Sequence, residues 1–268
     1  MMKKFFAAVV SVAALSGSLF ADGVEFKLEK PSDWQKNSAV KWIGKEKDVM
    51  EVTGPAGLHS VKMFDVVPGK VYKLEAEVKM LSGEAAPTYF GFKLFDKQGK
   101  AIDAHMVNAR PGSETTVIKP VKAGDKVMVI KANPLWTPGV YAVALNAKKD
   151  LSDLPNYDLL TPSKITAKGQ EIELQFKNPV AKDIPAGTVV RAHTGGGYMY
   201  TGGFKNLTPG QEVKLKGTAK GFSKYNMTAG SFAPGAAKAQ IIMLVNWKWN
   251  CKQKPVTVIK DVELEIEK

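Results

Sequence analysis

The sequence predicts an all-β protein: a β-sandwich of the jelly-roll type carrying a β-rich insertion. Three observations predict it. Apolar and polar residues alternate with a period of two in one segment after another, glycine- and proline-bearing turns separate those segments, and helical periodicity is almost absent past the first residues. A period of two puts one face of each strand on a core and the other in water.

The N-terminal segment reads as a leader. In "MMKKFFAAVVSVAALSGSLFADG", Lys3 and Lys4 form a basic start, Phe5 to Leu15 an apolar stretch, and small residues lead to a cleavage point at Ala21. That is the layout of a secretory signal peptide over residues 1–21, and its apolar part is short for a membrane span. The expected location is secreted, periplasmic or cell-surface, with no membrane span after cleavage.

Strands follow. In "VYKLEAEVK", Tyr72, Leu74, Ala76 and Val78 take one face and lysines and glutamates the other. "EIELQFK" repeats this with Ile172, Leu174 and Phe176, and "DVELEIE" with Val262, Leu264 and Ile266. "IIMLV" (241–245) is apolar on both faces and predicts a central strand buried on both sides. Turns are expected at Pro68-Gly69, Gln98-Gly99, Ala123-Gly124-Asp125 and Pro209-Gly210. "PGKVYKLEAEVK" and "PGQEVKLKGTAK" echo one another, either as a duplication or as two similar turn-to-strand entries in one sandwich.

Several of these segments, taken together, resemble a known group. "HSVKMFDVVPGKVYKLEAEVK", then "GQEVKLKGTAKG", "AQIIMLVNW" and the closing "VTVIKDVELEIEK" look like the strands of carbohydrate-binding-module-like jelly rolls in the galactose-binding-domain-like superfamily. The resemblance covers about half the chain and rests on pattern rather than on an invariant motif. It implies a non-catalytic glycan binder. It also implies a structural calcium ion held by early- and closing-strand carboxylates, which map to Glu25 and Asp261; no other cofactor is expected. The chain departs from such modules in its extra length. The expected layout is a discontinuous jelly roll over 22–101 and 203–268, with a β-rich insertion over 102–202. Two tandem sandwiches, split near "LSDLPNYDLLTPS" (151–163), are the alternative.

The stretch "RAHTGGGYMY" (191–200) is the first candidate site. Its glycines precede neither Lys-Ser/Thr nor a helix, so a phosphate cradle does not fit. The preferred reading is a tight reversal with positive φ at Gly195 to Gly197, Tyr198 and Tyr200 on one face of the returning strand, and Arg191 and His193 hydrogen-bonding a ligand. Tyrosine rings offer a flat surface to the C–H face of a sugar. "NWKWN" supplies Trp247 and Trp249 as a second platform, and loop-borne Trp136 a third. Trp34 and Trp42 are expected to pack the first strands. "KDLSDLPNYD" is an oxygen-rich loop, with Asp150, Asp153, Asn156 and Asp158, that matches no EF-hand spacing.

Charge and cysteine content narrow the function classes. The formal net charge of +12 favours acidic partners, but the lysines are dispersed along strands as on a solvated face. No nucleic-acid recognition motif accompanies them, so nucleic acid is not an expected partner. Cys251 stands alone, which rules out an intrachain disulfide, and a buried position is expected for it. The function expected from the sequence is therefore recognition of a polysaccharide or glycoconjugate glycan, including an anionic one, without catalysis. The rivals are a polysaccharide-processing enzyme using His193 and a carboxylate, and a structural or adhesive surface protein.

Overall fold

The computed structural model describes residues 24–267, so the leader expected at 1–21 lies outside the described residues. The first strands are β1 (Val24–Lys27), β2 (Val40–Ile43), β3 (Val49–Thr53), β4 (Ala56–Asp65), β5 (Val71–Ser82), β6 (Ala86–Phe95) and β7 (Ala101–Ile102). A single helical turn, α1 (Ala104–Val107), leads into β8 (Thr115–Thr116), β9 (Val127–Lys131), β10 (Val140–Leu145) and β11 (Leu159–Leu160). Then come β12 (Pro162–Lys168), β13 (Glu171–Phe176) and β14 (Val189–Thr194). The chain closes with β15 (Met199–Leu207), β16 (Glu212–Lys220), β17 (Lys238–Val245) and β18 (Val256–Glu267).

Strands from the two ends of the chain build one sandwich. A six-stranded sheet runs β16-β5-β18-β3-β2 with β1 on β18, and a five-stranded sheet runs β15-β6-β17-β4 with β7 on β6. Their inner faces share a core in which Tyr72, Leu74 and Leu264 of the first sheet meet Phe90, Phe92 and Met243 of the second. The alternation of "VYKLEAEVK" and "DVELEIE" therefore describes their inner faces correctly. The echoing segments are β5 and β16, adjacent antiparallel strands of one sheet with Val78 opposite Val213. Two similar turn-to-strand entries account for the echo. The four expected turns carry glycines with positive φ: Gly69, Gly99, Gly124 and Gly210.

The intervening residues form two further sheets, β11-β10-β14-β8 and β12-β13-β9. They enclose a second core that includes Met128, Ile130, Val143, Leu174 and Val190. The stretch 151–163 is not a boundary between tandem sandwiches. Leu159 and Leu160 pair with β10, and the chain beyond returns to the first sandwich through β15 to β18. Polar contacts join the two cores: the Tyr157 hydroxyl donates to Asp96 at 2.6 Å, and the Asn156 N–H donates to the Met106 carbonyl at 2.9 Å.

The outer faces of the main sandwich differ in kind. On the six-stranded sheet, lysines and glutamates alternate and pair across strands: Lys214 and Lys216 with Glu75, Lys260 with Glu77, and Lys73 with Glu265 and Glu267. That is the solvated face anticipated from the dispersed lysines. The five-stranded sheet carries rings instead.

Candidate functional site

The site is built on the outer face of the five-stranded sheet. On β6 the inner residues Thr88, Phe90 and Phe92 alternate with Tyr89, Gly91 and Lys93. On β15, Met199 points inward and Tyr200 outward. The register aligns Tyr200, Gly91, Ile242 and His59 in one row across β15, β6, β17 and β4, with Tyr89 opposite Leu244 in a neighbouring row. Four strands span about 14 Å between the outer pair. The rings nonetheless meet across that distance. Tyr198 lies 6.3 Å from His59 and 6.3 Å from Tyr200, and Tyr89 lies 5.5 Å from Tyr200. Tyr198, just ahead of β15, is the ring that makes the contact with His59, while the backbone of Met199 and Tyr200 lies close over Gly91. Ile242 and Leu244 point to this outer side yet are buried, so the ring layer covers them. The doubly buried strand anticipated from "IIMLV" thus has a core on one side and tyrosines on the other.

Burial in this layer shifts its titrations. Desolvation, reinforced by the nearby charge of Lys93, lowers the pKa of His59 against an opposing contact from Gln240, so the imidazole is neutral at neutral pH. Desolvation raises the pKa of Tyr200, which keeps its hydroxyl protonated as a donor.

The glycine-rich stretch is not the reversal expected from the sequence. β14 belongs to the second pair of sheets and β15 to the first sandwich, so Gly195 to Gly197 cross between cores instead of turning back within one sheet. None of the three has a positive φ. Crowding is what excludes larger residues. A Cβ on Gly195 would meet the Tyr141 ring at 3.1 Å, on Gly196 the Ala104 side chain at 2.8 Å, and on Gly197 the Tyr200 ring at 2.8 Å. Tyr198 and Tyr200 do lie together, as anticipated.

Arg191 and His193 are fully buried and present no atom to solvent, contrary to the expected ligand contacts. They do converge. Arg191 Nε donates to His193 Nε2 at 3.1 Å, and its terminal nitrogens reach Asp153 at 2.7 Å and the Lys148 carbonyl at 3.0 Å. His193 Nδ1 faces the His105 carbonyl at 2.9 Å. Because Nε2 accepts from the guanidinium, Nδ1 carries the proton and donates. Desolvation above all, with Arg191 beside it, pulls the His193 pKa down to about 4. The pair braces the end of β14, a structural duty. Trp136 is likewise buried, its indole N–H donating to the Ser113 carbonyl at 2.8 Å, and it closes the second core.

The remaining candidates sit apart. Trp249 is 69% exposed in the β17–β18 loop and stands edge-on to Trp247, with ring planes at 70°, so the pair makes no shared flat platform. Cys251 in the same loop is partly exposed rather than buried. Trp34 packs as expected, donating to the Leu28 carbonyl at 3.1 Å. Glu25 pairs opposite Glu265 and contacts Lys27, whereas Asp261 occupies the irregular stretch of β18 with φ 51. Four strand residues, about 13 Å, separate the two carboxylates along β18, so they are not brought together. The "KDLSDLPNYD" oxygens are spent internally: Asp150 on Ser152, Asp153 on Arg191 and Asn156, and Asp158 on Lys182 and Asn146. Among the described residues, no group of three or more His, Cys, Asp or Glu side chains is arranged to hold a metal ion. Sequence reading missed His59 and Tyr89. Both sit on outward strand positions, and only the cross-strand register shows that they share a face with Tyr200.

No family model matches the chain, and no curated protein does. Among solved structures it is similar to the CBM22-1 xylan-binding domain from Paenibacillus barcinonensis Xyn10C. The identity is 10%, over 92% of this chain and 96% of that one, with a TM-score of 0.34. A likeness that remote carries no argument about this protein.

Proposed function

We propose that the protein is an exported, non-catalytic glycan-binding protein whose site is the tyrosine-lined outer face of the five-stranded sheet. One observation carries this reading: two sheets of one sandwich share a core, but one outer face is covered by paired charges, while the other holds Tyr89, Tyr200, Tyr198 and His59 as a chain of neighbouring rings. Partly buried rings with polar edges suit a ligand that is apolar on its C–H faces and hydroxylated at its rim. The chain is read as one discontinuous jelly roll whose second part begins at the crossing into β15, about residue 198, rather than at the expected 203, so the interrupting segment runs over 102–197. Lys93, beside His59 on the same face, gives an anionic substituent a partner. Binding is preferred to catalysis because His193, the acid/base that the enzyme reading rests on, is sealed from solvent.

The test is affinity electrophoresis of residues 22–268 through gels containing soluble xylan, mixed-linkage β-glucan, mannan or polygalacturonate. Retardation by at least one polymer, reduced about tenfold in affinity by Tyr200→Ala and by Tyr89→Ala, is expected. Free migration in every gel would remove the reading. Retardation untouched by either substitution would move the site elsewhere.

A further inference from the structure

The ring-lined surface does not stop at the sheet. Beside the glycine crossing lies a cavity of about 250 Å³, lined by Tyr198, Gly196, Gly197, Asp103 and His105 and reaching inward to the core residues Phe92 and Leu94. His105 stands 5.4 Å from the ring of Tyr141, a β10 residue that is 49% exposed. Tyr141 rests directly on Gly195. Asn108 fixes the crossing, donating to the Gly195 carbonyl at 3.2 Å and accepting from the Met227 N–H at 2.7 Å. Rings therefore touch both ends of the glycine strip: Tyr200, with Tyr198 and Tyr89 beside it, against Gly197, and Tyr141, with His105 beside it, against Gly195.

We propose that the glycan site is continuous across this strip, with Tyr141 and His105 as its second half and a linear polysaccharide chain, rather than a terminal sugar, as its ligand. The inference rests on the glycan-binding reading above. Its geometric basis is that the Tyr141 and Tyr200 rings flank the two ends of the same three-glycine crossing, with Gly196 and Gly197 exposed between them. A chain of sugar rings could then pass from one to the other without lifting off. Asp103, exposed at the cavity rim, and the Gly195 to Gly197 backbone provide polar groups for hydroxyls along that passage. The intervening segment, on this view, sets the length of ligand the protein prefers.

Tyr141→Ala and Tyr141→Phe test this, both at an exposed position where folding should survive. Each is compared with the unsubstituted protein in the same four polymer gels, and by calorimetry against the di- and hexasaccharides of xylan, mannan and β-glucan. The expected result is that Tyr141→Ala weakens retention by a polymer and binding of its hexasaccharide about tenfold, with disaccharide binding unchanged. Tyr141→Phe should stay near the original affinity. Equal retention of Tyr141→Ala and the unsubstituted protein, in a gel where Tyr200→Ala fails, overturns the extension and leaves the sheet-face reading standing. A protein retained by no gel overturns both.

Discussion

Arg191 carries a full charge into the protein interior, which is tolerable only because Asp153 meets it with a bidentate carboxylate and His193 accepts a third bond. His193 must be neutral to accept, and its surroundings enforce that. Protonation would set a second cation against the guanidinium, in a pocket that also holds Glu114 at 3.8 Å from Arg191. The linkage follows in sign. The folded value of about 4 lies below the unfolded value near 6.5, so between them the unfolded chain binds the extra proton. Stability from this group is therefore complete above about pH 6.5 and falls as pH drops toward 4, by up to on the order of 3 kcal/mol. Asp153 acts in a lower window. Desolvation opposes its ionisation, but the Arg191 and Asn156 bonds prevail and depress its pKa, so its contribution is lost only below the usual carboxylate range. Denaturant unfolding at pH 7, 5.5 and 4.5 should show the earlier loss, and His193→Gln should flatten the profile between those values. An unchanged slope in that variant would mean another group titrates. Sequence spacing placed Arg191 and His193 on one strand face correctly. It could not say whether that face was wet, because the covering residues, Asp153 and His105, come from distant segments.

At the scale of elements, strand alternation was legible because it is local: each residue's face follows from its neighbours two away. The reasons for the glycines were not legible in the same way. Gly91 in β6 has an ordinary extended backbone, yet a Cβ there would come within 1.9 Å of the Met199 carbonyl oxygen. The irregular register of β15 around Tyr200 and Gly202 draws that carbonyl in. Backbone cannot swing aside as a flexible side chain does. Gly91→Ala should thus push β15 away from β6, costing about 1–3 kcal/mol of unfolding free energy. It should also weaken glycan retention, because Tyr200 rides on the displaced strand. Gly99→Ala is a useful contrast: nothing lies within 4 Å of its Cβ, and only the positive φ resists it. Chemical denaturation of the two variants would decide the matter; equal, small losses would mean that β15 adapts freely. The same limit explains the misread crossing at Gly195 to Gly197. Three glycines between strands look like a hairpin until the sheet membership of each strand is known.

For the whole molecule, the question is how a chain of net charge +12 can bind through a nearly uncharged face. The glutamates of the six-stranded sheet, Glu75, Glu77 and Glu212 among them, are paired with lysine, so that face adds little to the positive excess. That excess attracts any polyanion at low ionic strength without selecting a site. The screening length is about 10 Å at 0.1 M salt and about 3 Å at 1 M, so this attraction fades with added salt. Contact between tyrosine rings and sugar faces does not depend on that field, and apolar association is not weakened by salt in the same way. Retention by a neutral polymer should accordingly persist from about 0.05 to 1 M sodium chloride, while retention by polygalacturonate should decline to whatever the tyrosine face and Lys93 sustain. Tyr200→Ala should remove the salt-resistant component and leave the salt-sensitive one, since the substitution changes no charge. Migration measured across that salt range for both proteins separates the two contributions. If Tyr200→Ala instead loses the salt-sensitive component, charge and rings act at one shared site, and Lys93 becomes the first residue to substitute.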